Sequence, residues 1–218
     1  MTFPYGYTLL KSPEGLPLRD VSFLSDEEIS RRIVPVLDLL QRNGIPFELY
    51  RHPPVPTVEA ALGYWKQIPS AHCKNLFLRN HKGNRHYLIS YDYRKTFPIR
   101  SLERILKQGK LSFASAERMM RCLGLKPGSV SPLGLVHDIA LVNDGIPAGG
   151  VDPKELFPDG HRVKFYLDKD ILSAEKVSFH PCDNTAGVVL KSDDFLRFLS
   201  VWGGEWESLD IDALCLEE

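Results

Sequence analysis

The segment from Leu123 to Leu135 combines three glycines and two prolines with aliphatic residues on either side of them. Proline lacks the amide that helices and sheets need, and glycine adopts backbone angles that other residues avoid, so this composition predicts a fixed loop. The aliphatic residues indicate that the loop is packed against a core. Such a loop can present its own N–H groups to a carbonyl oxygen or an anion. The alternative is a turn that only connects two elements.

Two further residues could face a pocket. Lys74 begins an apolar strand, from which its ammonium group can reach a phosphate or a ribose, although an isolated lysine usually lies on the surface. His180 follows a strand and precedes a proline, so its imidazole can face a pocket or form a hydrogen bond at the strand end. Cys182 lies two residues further on. A Cys/His nucleophile pair is therefore conceivable, but no third orienting group can be identified.

The same residue types argue against a metal or a nucleotide cofactor. The four cysteines are scattered without a Cys-x-x-Cys pair, and the seven histidines show no repeated short spacing. Neither a Walker-type loop nor Gly-x-Gly-x-x-Gly occurs. We therefore predict no cofactor and no metal.

The charge of the chain is unevenly distributed. The net charge is −1, yet the stretch from Lys74 to Lys126 holds 13 basic and three acidic residues, while the rest holds 14 basic and 25 acidic residues. Such asymmetry is a candidate footprint for a polyanion such as nucleic acid. The alternative is a set of solvated helix faces that do not converge in space.

The elements that position these residues alternate between helices and strands. Ser25 and Glu28 resemble a capping box that opens a helix, which Pro35 should kink or split. A second helix is predicted over 57–66, with Thr57 as its N-cap. Two more are predicted over 98–108, which Gly109 ends, and over 115–123, which Gly124 ends. The last predicted helix begins at Ser192 and ends before Gly203. The predicted strands cover 47–50, 75–79, 85–91, 138–143, 162–167, 176–179 and 187–190, with an extended segment at 52–56 and a long hairpin excursion at 144–161. This order predicts an α/β fold with a mixed sheet.

The overall composition fits one domain. With 218 residues, 43% of them hydrophobic, the chain can build a substantial core. It lacks an apolar run near 18 residues and a basic, apolar start, so we expect neither a membrane span nor a secretory signal. Scattered cysteines suggest a reduced, cytoplasmic protein.

Taken together, the motifs resemble those of the freestanding prolyl-tRNA editing proteins, the YbaK-like relatives of the editing insertion of bacterial prolyl-tRNA synthetase. The resemblance covers about residues 28–202 and is nearest to the branch that deacylates alanyl-tRNA(Pro). The matching blocks, in the family's order, are His52-Pro-Pro-Val55, Lys74-Asn-Leu-Phe-Leu-Arg79, Lys110-Leu-Ser-Phe-Ala114, Leu123-Gly-Leu-Lys-Pro-Gly-Ser-Val-Ser-Pro132 and Phe179-His-Pro-Cys-Asp-Asn184.

The resemblance implies a single α/β domain whose mixed, partly barrel-like sheet is flanked by helices, with residues 1–27 as an extension and 203–218 as a tail. It also implies a metal-free deacylase in which water attacks the aminoacyl ester, assisted by a ribose hydroxyl. The loop Gly128, Ser129, Val130, Ser131 and Pro132 would hold the ester. Lys74 would contact the 3′ end of the tRNA, and His180 would help to position the substrate.

By the same resemblance, Arg79 and Lys110 join Lys74 as tRNA-binding residues. The implied partners are the acceptor end of mischarged tRNA(Pro) and, beyond it, prolyl-tRNA synthetase or an elongation factor. Relatives often carry arginine in place of Lys110, and the 144–161 excursion is longer than expected. Two alternatives remain. The substrate could be cysteinyl-tRNA(Pro) or another mischarged tRNA, or the protein could bind tRNA or the synthetase without catalysis.

Overall fold

A computed structural model describes residues 3–55, 57–138, 142–143, 146–147 and 151–216. The strands are β1 Thr8–Leu9, β2 Glu48–Arg51, β3 Ala71–Arg79, β4 His86–Asp92, β5 Ser112–Phe113, β6 Val142–Asn143, β7 Ile146–Pro147, β8 Val163–Asp168, β9 Lys176–Phe179, β10 Ala186–Lys191 and β11 Trp206–Leu209. The helices are α1 Glu27–Arg42, α2 Val58–Trp65, α3 Ile99–Leu106, α4 Ala116–Leu123, α5 Lys169–Leu172, α6 Ser192–Trp202 and α7 Ile211–Cys215.

In this part of the chain, nine strands form one sheet in the order β1-β2-β10-β9-β3-β4-β8-β11, with β5 beside β3. β3 runs antiparallel to β4 and β5 but parallel to β9, and β4 runs parallel to β8. The predicted α/β class with a mixed sheet flanked by helices is therefore confirmed. β6 and β7 form a separate antiparallel pair.

Helix α1 illustrates why the local sequence folds as it does. Five aliphatic residues at helical spacing are buried against the main core: Ile29, Ile33, Val36, Leu37 and Leu40. The predicted cap is wrong by one residue, because the Asp26 carboxylate accepts from two amides while the Ser25 hydroxyl donates to the Ser22 carbonyl. Of the predicted kink or split at Pro35, the split is not observed, since one helix runs through the proline. Burial of residues on both sides of the proline offsets the lost hydrogen bond.

Other boundaries shift for local reasons. The predicted caps Thr57 and Gly124 are confirmed. Helix α3 ends at Lys107, not at Gly109, because Lys107 itself takes a left-handed conformation with φ of 52°. Ser192 is the first residue of α6, not its cap, and its hydroxyl donates to the Ala174 carbonyl.

The strand predicted over 138–143 is only partly observed. A 3-10 helix covers Pro132–His137, and Asp138, which directly follows it, is not part of a strand, whereas Val142–Asn143 is. The Asp138 carboxylate accepts from the Arg162 and Val163 amides, which holds it away from a ladder position. Residues 139–141, 144–145 and 148–150 of the predicted strand and excursion lie outside the described residues, as does Pro56 of the extended segment.

Both ends of the chain pair with the main sheet. β1 runs parallel to β2, and Phe23 belongs to the main core. At the other end, β11 runs parallel to β8, and α7 packs Ile211 and Leu214 under α3. The boundaries at 27 and 202 stay a prediction.

Candidate active site

A cavity of about 260 Å³ opens where β3 lacks a strand neighbour on one side. β9 pairs with β3 only at Ala71 and His72, and β5 pairs with it only at Leu78 and Arg79. Within the described chain, no strand pairs with the stretch between them on that edge. The lining residues are Val55, Thr57, Val58, Ala61, Trp65, Cys73, Lys74, Asn75, Leu76, Tyr91, Gly128, Val130 and His180.

Lys74 and Asn75 lie on this edge of β3. Lys74 is paired with Tyr91 of β4, and Asn75 with Ser90. The Ser90 hydroxyl donates to the Asn75 side-chain oxygen at 2.5 Å, which leaves the Asn75 amide hydrogens available to the cavity. Lys74 forms no ion pair with any carboxylate in the described residues. The edge thus offers donors, one of them positively charged, to an anionic or carbonyl group.

His180 presents an acceptor to the same cavity. Its Nδ1 lies 2.8 Å from the Ala186 carbonyl, and because a carbonyl can only accept, Nδ1 carries the proton. Nε2 is then unprotonated. Burial lowers the pKa of His180 below its usual value, so the ring is neutral at pH 7. A neutral imidazole with a free Nε2 can accept a hydrogen bond from a hydroxyl or a water.

Two other histidines surround His180 but are held by the backbone. His52 binds the Pro53 carbonyl through Nδ1 at 2.8 Å, and its ring stacks on Tyr64. His72 lies 3.2 Å from the Ile68 carbonyl through Nε2 and stacks on Trp65 with ring centroids 4.6 Å apart. Burial is the main cause that lowers the pKa of each to about 4. Both rings are therefore neutral packing groups, and neither of them lines the cavity.

The glycine-rich loop closes the cavity opposite β3. Gly128 has φ of 83°, a conformation that favours glycine, and both Gly128 and Val130 line the cavity. The Ser129 amide donates to the Lys126 carbonyl at 3.1 Å. Among the described residues, the amides of Gly128 and Val130 donate to no protein acceptor. The loop therefore has uncommitted donors where it meets the cavity.

A chain of ion pairs links this loop to the His180 turn through α1. Lys126 pairs with Glu28 at 2.6 Å, Glu28 with Arg32 at 2.6 Å, and Arg32 with Asp183 at 2.6 Å. The Asp183 carboxylate also accepts from the Thr185 amide and hydroxyl. The Arg32–Asp183 link is the most buried member of this chain, so solvent screens it least. Two loops far apart in sequence are thereby fixed to one helix.

The structure separates the predicted site residues into three groups. Lys74, Gly128, Val130 and His180 come together at the cavity. Ser129, Ser131 and Pro132 are buried beside it, and the Ser131 hydroxyl accepts from the Leu133 amide to cap the 3-10 helix.

Arg79 and Lys110 lie elsewhere. Arg79 is at the opposite end of β3, about 17 Å from Lys74 along the strand. Its guanidinium donates to the Asn80 and His81 carbonyls. Lys110 is exposed and precedes β5, whose Ser112 pairs with Arg79. These two cations are therefore neighbours of each other and not of the cavity.

Cys182 is unsuited to act as a nucleophile. Its side chain belongs to the main core, and burial raises the pKa of its thiol to about 12. The residue also holds a left-handed backbone conformation, with φ of 63°, in the turn after His180. The thiol is protonated at neutral pH and does not line the cavity.

Sequence reasoning missed much of the apolar wall. Thr57, Val58, Ala61 and Trp65 come from α2, which follows the His52-Pro-Pro-Val55 block. The sequence feature that could have predicted these wall residues is that block together with the capping Thr57, because the two determine where α2 begins. Asn75 follows Lys74 directly and could have been named with it.

The fold and this cavity define an aminoacyl-tRNA editing domain. The family model described as "Aminoacyl-tRNA editing domain" matches residues 52–198, and the chain belongs to that family. This confirms the family expected from the motifs and the expected class of enzyme, an aminoacyl-tRNA deacylase.

Individual relatives agree with the family. The chain is 28% identical over 186 residues to the prolyl-tRNA editing protein ProX of Acetoanaerobium sticklandii, covering 85% of this chain and 99% of the relative. It is 31% identical to the prolyl-tRNA synthetase associated domain-containing protein 1 of Mus musculus, covering 80% of this chain and 95% of that protein. A crystal structure of a proposed trans-editing enzyme for prolyl-tRNA synthetase shares the fold, with a TM-score of 0.55, 18% identity, and coverage of 82% and 96%.

The described residues contain neither a membrane-spanning helix nor a cluster of metal-binding side chains. No helix there is long and apolar enough to cross a membrane. No group of three or more histidine, cysteine, aspartate or glutamate side chains there could hold a metal ion.

Proposed function

We propose that this protein edits in trans and hydrolyses alanyl-tRNA(Pro), the product of a synthetase that has mistaken alanine for proline. The observation that carries the proposal is the convergence of Lys74, Gly128, Val130 and His180 on one cavity. A synthetase pocket large enough for proline excludes alanine by only about 1–3 kcal/mol, because lost apolar contacts discriminate weakly. A second site that removes alanine is therefore needed.

The proposed reaction is a direct hydrolysis. A water molecule adds to the ester carbonyl, and the carbonyl oxygen becomes an oxyanion. The bond between the carbonyl carbon and the ribose oxygen then breaks, and the proton lost by the water passes to that ribose oxygen. Free alanine and tRNA with both hydroxyls of its terminal ribose are released. The uncommitted amides of Gly128 and Val130 are the candidates to bind the oxyanion, since a donor of this kind contributes about 3–4 kcal/mol in other enzymes.

His180 and Lys74 receive positioning roles in this scheme. The free Nε2 of His180 accepts a hydrogen bond from the neighbouring ribose hydroxyl or from the attacking water, and its low pKa keeps it able to do so at neutral pH. Lys74 contacts a phosphate or ribose of the terminal nucleotide. The high pKa of the Cys182 thiol supports a water nucleophile over a covalent intermediate.

The limited size of the cavity supports the proposed preference for alanine. Val55, Val58, Ala61, Trp65, Leu76, Tyr91 and Val130 contribute its apolar surface, and its volume of about 260 Å³ must accept the aminoacyl group together with part of the ribose. A small side chain fits this space more easily than the proline ring. Cysteine is close to alanine in size, so cysteinyl-tRNA(Pro) is the competing substrate.

A deacylation panel tests the proposal. The purified protein is incubated with alanyl-, cysteinyl- and prolyl-tRNA(Pro), and release of the amino acid is compared with spontaneous hydrolysis. We expect rapid release of alanine and sparing of prolyl-tRNA(Pro). Faster release of cysteine than of alanine would move the assignment to cysteinyl-tRNA(Pro). No release above the spontaneous rate would leave a non-catalytic tRNA- or synthetase-binding module.

Two variants and a matched control connect the activity to the cavity. Lys74→Ala and His180→Ala should each lower kcat/KM for alanyl-tRNA(Pro), whereas Lys191→Ala, an exposed lysine remote from the cavity, should not. Each variant is checked for an unchanged unfolding midpoint. Full activity of both cavity variants would contradict the proposed site.

A further inference from the structure

A second, smaller cavity adjoins the first one. Its volume is about 10 Å³, and its wall includes Asn75 and His180, which also line the larger cavity. The wall further includes His52, Ser178 and Gly187, none of which lines the larger cavity. We call this space the inner chamber. Because roughly 10–15 Å³ holds one water molecule, the inner chamber has the size of a single water.

Two imidazole rings of the inner chamber each offer a hydrogen-bond acceptor. Nδ1 of His52 lies 2.8 Å from the Pro53 carbonyl, and Nδ1 of His180 lies 2.8 Å from the Ala186 carbonyl. Both Nδ1 atoms therefore carry the proton, and Nε2 of each ring is an acceptor. Neither Nε2 has a hydrogen-bond partner in the described part of the chain. The ring centroids are 6.2 Å apart, a separation that one bridging water can span.

Two side chains of the same wall offer hydrogen-bond donors. Ser178 is buried on β9, and its hydroxyl forms no hydrogen bond with any described residue. The Asn75 side-chain amide keeps both hydrogens, because its oxygen accepts from the Ser90 hydroxyl. A buried water typically has two to four polar partners, and this wall can supply two acceptors and two donors. An apolar occupant such as a methyl group would leave these groups unpaired, which buried polar groups seldom are.

We propose that the inner chamber binds one water molecule and presents it to the aminoacyl ester as the nucleophile. This inference rests on the proposed function, because it names the residues that hold the water of the same reaction. The glycine-rich loop closes the larger cavity opposite β3, whereas the inner chamber meets that cavity at Asn75 and His180. An ester bound between them has its carbonyl oxygen at the loop amides and its carbonyl carbon open to the chamber.

The reaction is the hydrolysis described above, with the origin of the water now defined. The water oxygen bonds to the carbonyl carbon, and the bond from that carbon to the ribose oxygen breaks. The proton that the water loses ends on the ribose oxygen. Ser178 and His52 contact the water before it reacts, so they hold the nucleophile in place and do not form a bond to the substrate.

Gly187 keeps the inner chamber open. A Cβ added to this residue of β10 would lie 3.3 Å from the Ser178 hydroxyl oxygen and 3.7 Å from Ile68 Cδ1, and both residues belong to the chamber wall. Gly187 does not have a positive φ, so alanine at this position does not strain the backbone. The variant Gly187→Ala therefore places a methyl group where the water would bind.

The kinetic test fills the inner chamber and compares kcat with KM. The control Val188→Ile adds one carbon to the next residue of the same strand, which packs in the main core. We expect Gly187→Ala to lower kcat for alanyl-tRNA(Pro) roughly a hundredfold at an unchanged KM, because the ester still binds but the nucleophile is misplaced. Ser178→Ala removes one donor and should lower kcat roughly threefold to tenfold. The control should have the kcat of the parent, and thermal unfolding checks that every variant folds.

A crystal structure of the protein without tRNA gives a second measurement that does not depend on activity. We expect one ordered water within hydrogen-bond distance of the Ser178 hydroxyl and of His180 Nε2 in the parent. The same water should be present in Val188→Ile and displaced in Gly187→Ala. A parent structure without a water at this position would overturn the inference.

The outcomes separate the inference from the proposed function. If the parent hydrolyses alanyl-tRNA(Pro) and Gly187→Ala has the same kcat, the chamber does not supply the nucleophile, although the proposed function stands. A raised KM at an unchanged kcat also overturns the inference, because the chamber then receives the alanine side chain. If the parent hydrolyses no alanyl-tRNA(Pro), the proposed function fails, and the crystal structure still decides whether the chamber binds water.

Discussion

Replacing Gly128 with alanine probes the glycine-rich loop where it meets the cavity. Gly128 has φ of 83°, and an L-residue in a left-handed conformation is strained by about 1–2 kcal/mol. Against a total stability of about 5–15 kcal/mol, such a loss leaves the protein folded at 25 °C. Relief of the strain would rotate the peptide groups around residue 128. If a cavity donor moves out of place, the barrier rises by about 3–4 kcal/mol.

The matched control is Gly124→Ala, in the same loop. Gly124 also has a positive φ, 65°, and an added Cβ would lie 2.7 Å from the His137 ring. Gly124 caps α4 and does not line the cavity. The Gly124→Ala variant should therefore lose at least as much stability as Gly128→Ala but have the same kcat/KM as the parent. Urea unfolding gives the free energy of each variant, and release of alanine from alanyl-tRNA(Pro) gives kcat/KM.

We expect Gly128→Ala to lower kcat/KM by roughly a hundredfold to a thousandfold, the loss that follows removal of one oxyanion donor. Gly128→Asn adds a further test, because asparagine enters the left-handed region more readily than alanine. This variant should recover stability and part of the activity, because the backbone can then keep its left-handed conformation. Parental kcat/KM in Gly128→Ala would refute the donor role, and equal activity loss in Gly124→Ala would show that strain alone is responsible.

Two other predictions follow from buried groups. The pKa of His52 and that of His72 are each lowered to about 4, so below pH 6.5 the unfolded chain binds more protons than the folded protein does. The free energy of unfolding therefore falls as the pH falls from 6.5 toward 4. At pH 5, each ring lowers it by about 2 kcal/mol. Urea unfolding at pH 7 and pH 5 should show this loss, reduced in His72→Gln, and equal stability at the two pH values would contradict it. The Cys182→Ala variant should have the kcat/KM of the parent. The folded parent should also resist alkylation of the Cys182 thiol. If alkylation at Cys182 inactivated the enzyme, a mechanism with a thiol nucleophile would be supported instead.

Local signals predicted most of the fold. The aliphatic spacing of α1, the capping threonine at 57 and the glycine at 124 each act within a few residues, so the sequence alone suffices to place them. The errors at Ser25 and Gly109 arose where two residues close in sequence could both cap the same helix end. Asp26 accepts two amide hydrogen bonds, and Lys107 adopts a conformation that few non-glycine residues take. Such competition is decided by tertiary contacts.

The cavity itself could be predicted only through resemblance. Lys74, Gly128 and His180 are separated by more than 50 residues each, and no periodicity indicates that they meet. Their meeting depends on β3 pairing with β9 at one end and β5 at the other, so that a gap remains between them. Strand register over such distances is set by core packing rather than by local sequence.

The ion pairs that run from Lys126 to Asp183 explain how a loop can act as a rigid donor. A backbone amide stabilises a developing oxyanion only if it already points at that position before the reaction, because reorientation during the reaction costs energy. Leu123, Leu125 and Leu133 anchor the loop in the main core, while Lys126 ties it through Glu28 and Arg32 to the turn after His180. The donor loop and the acceptor imidazole are thus held by the same helix. In the proposed reaction, the loop amides and the imidazole act on the ester and the attacking water, and no side chain serves as a covalent nucleophile.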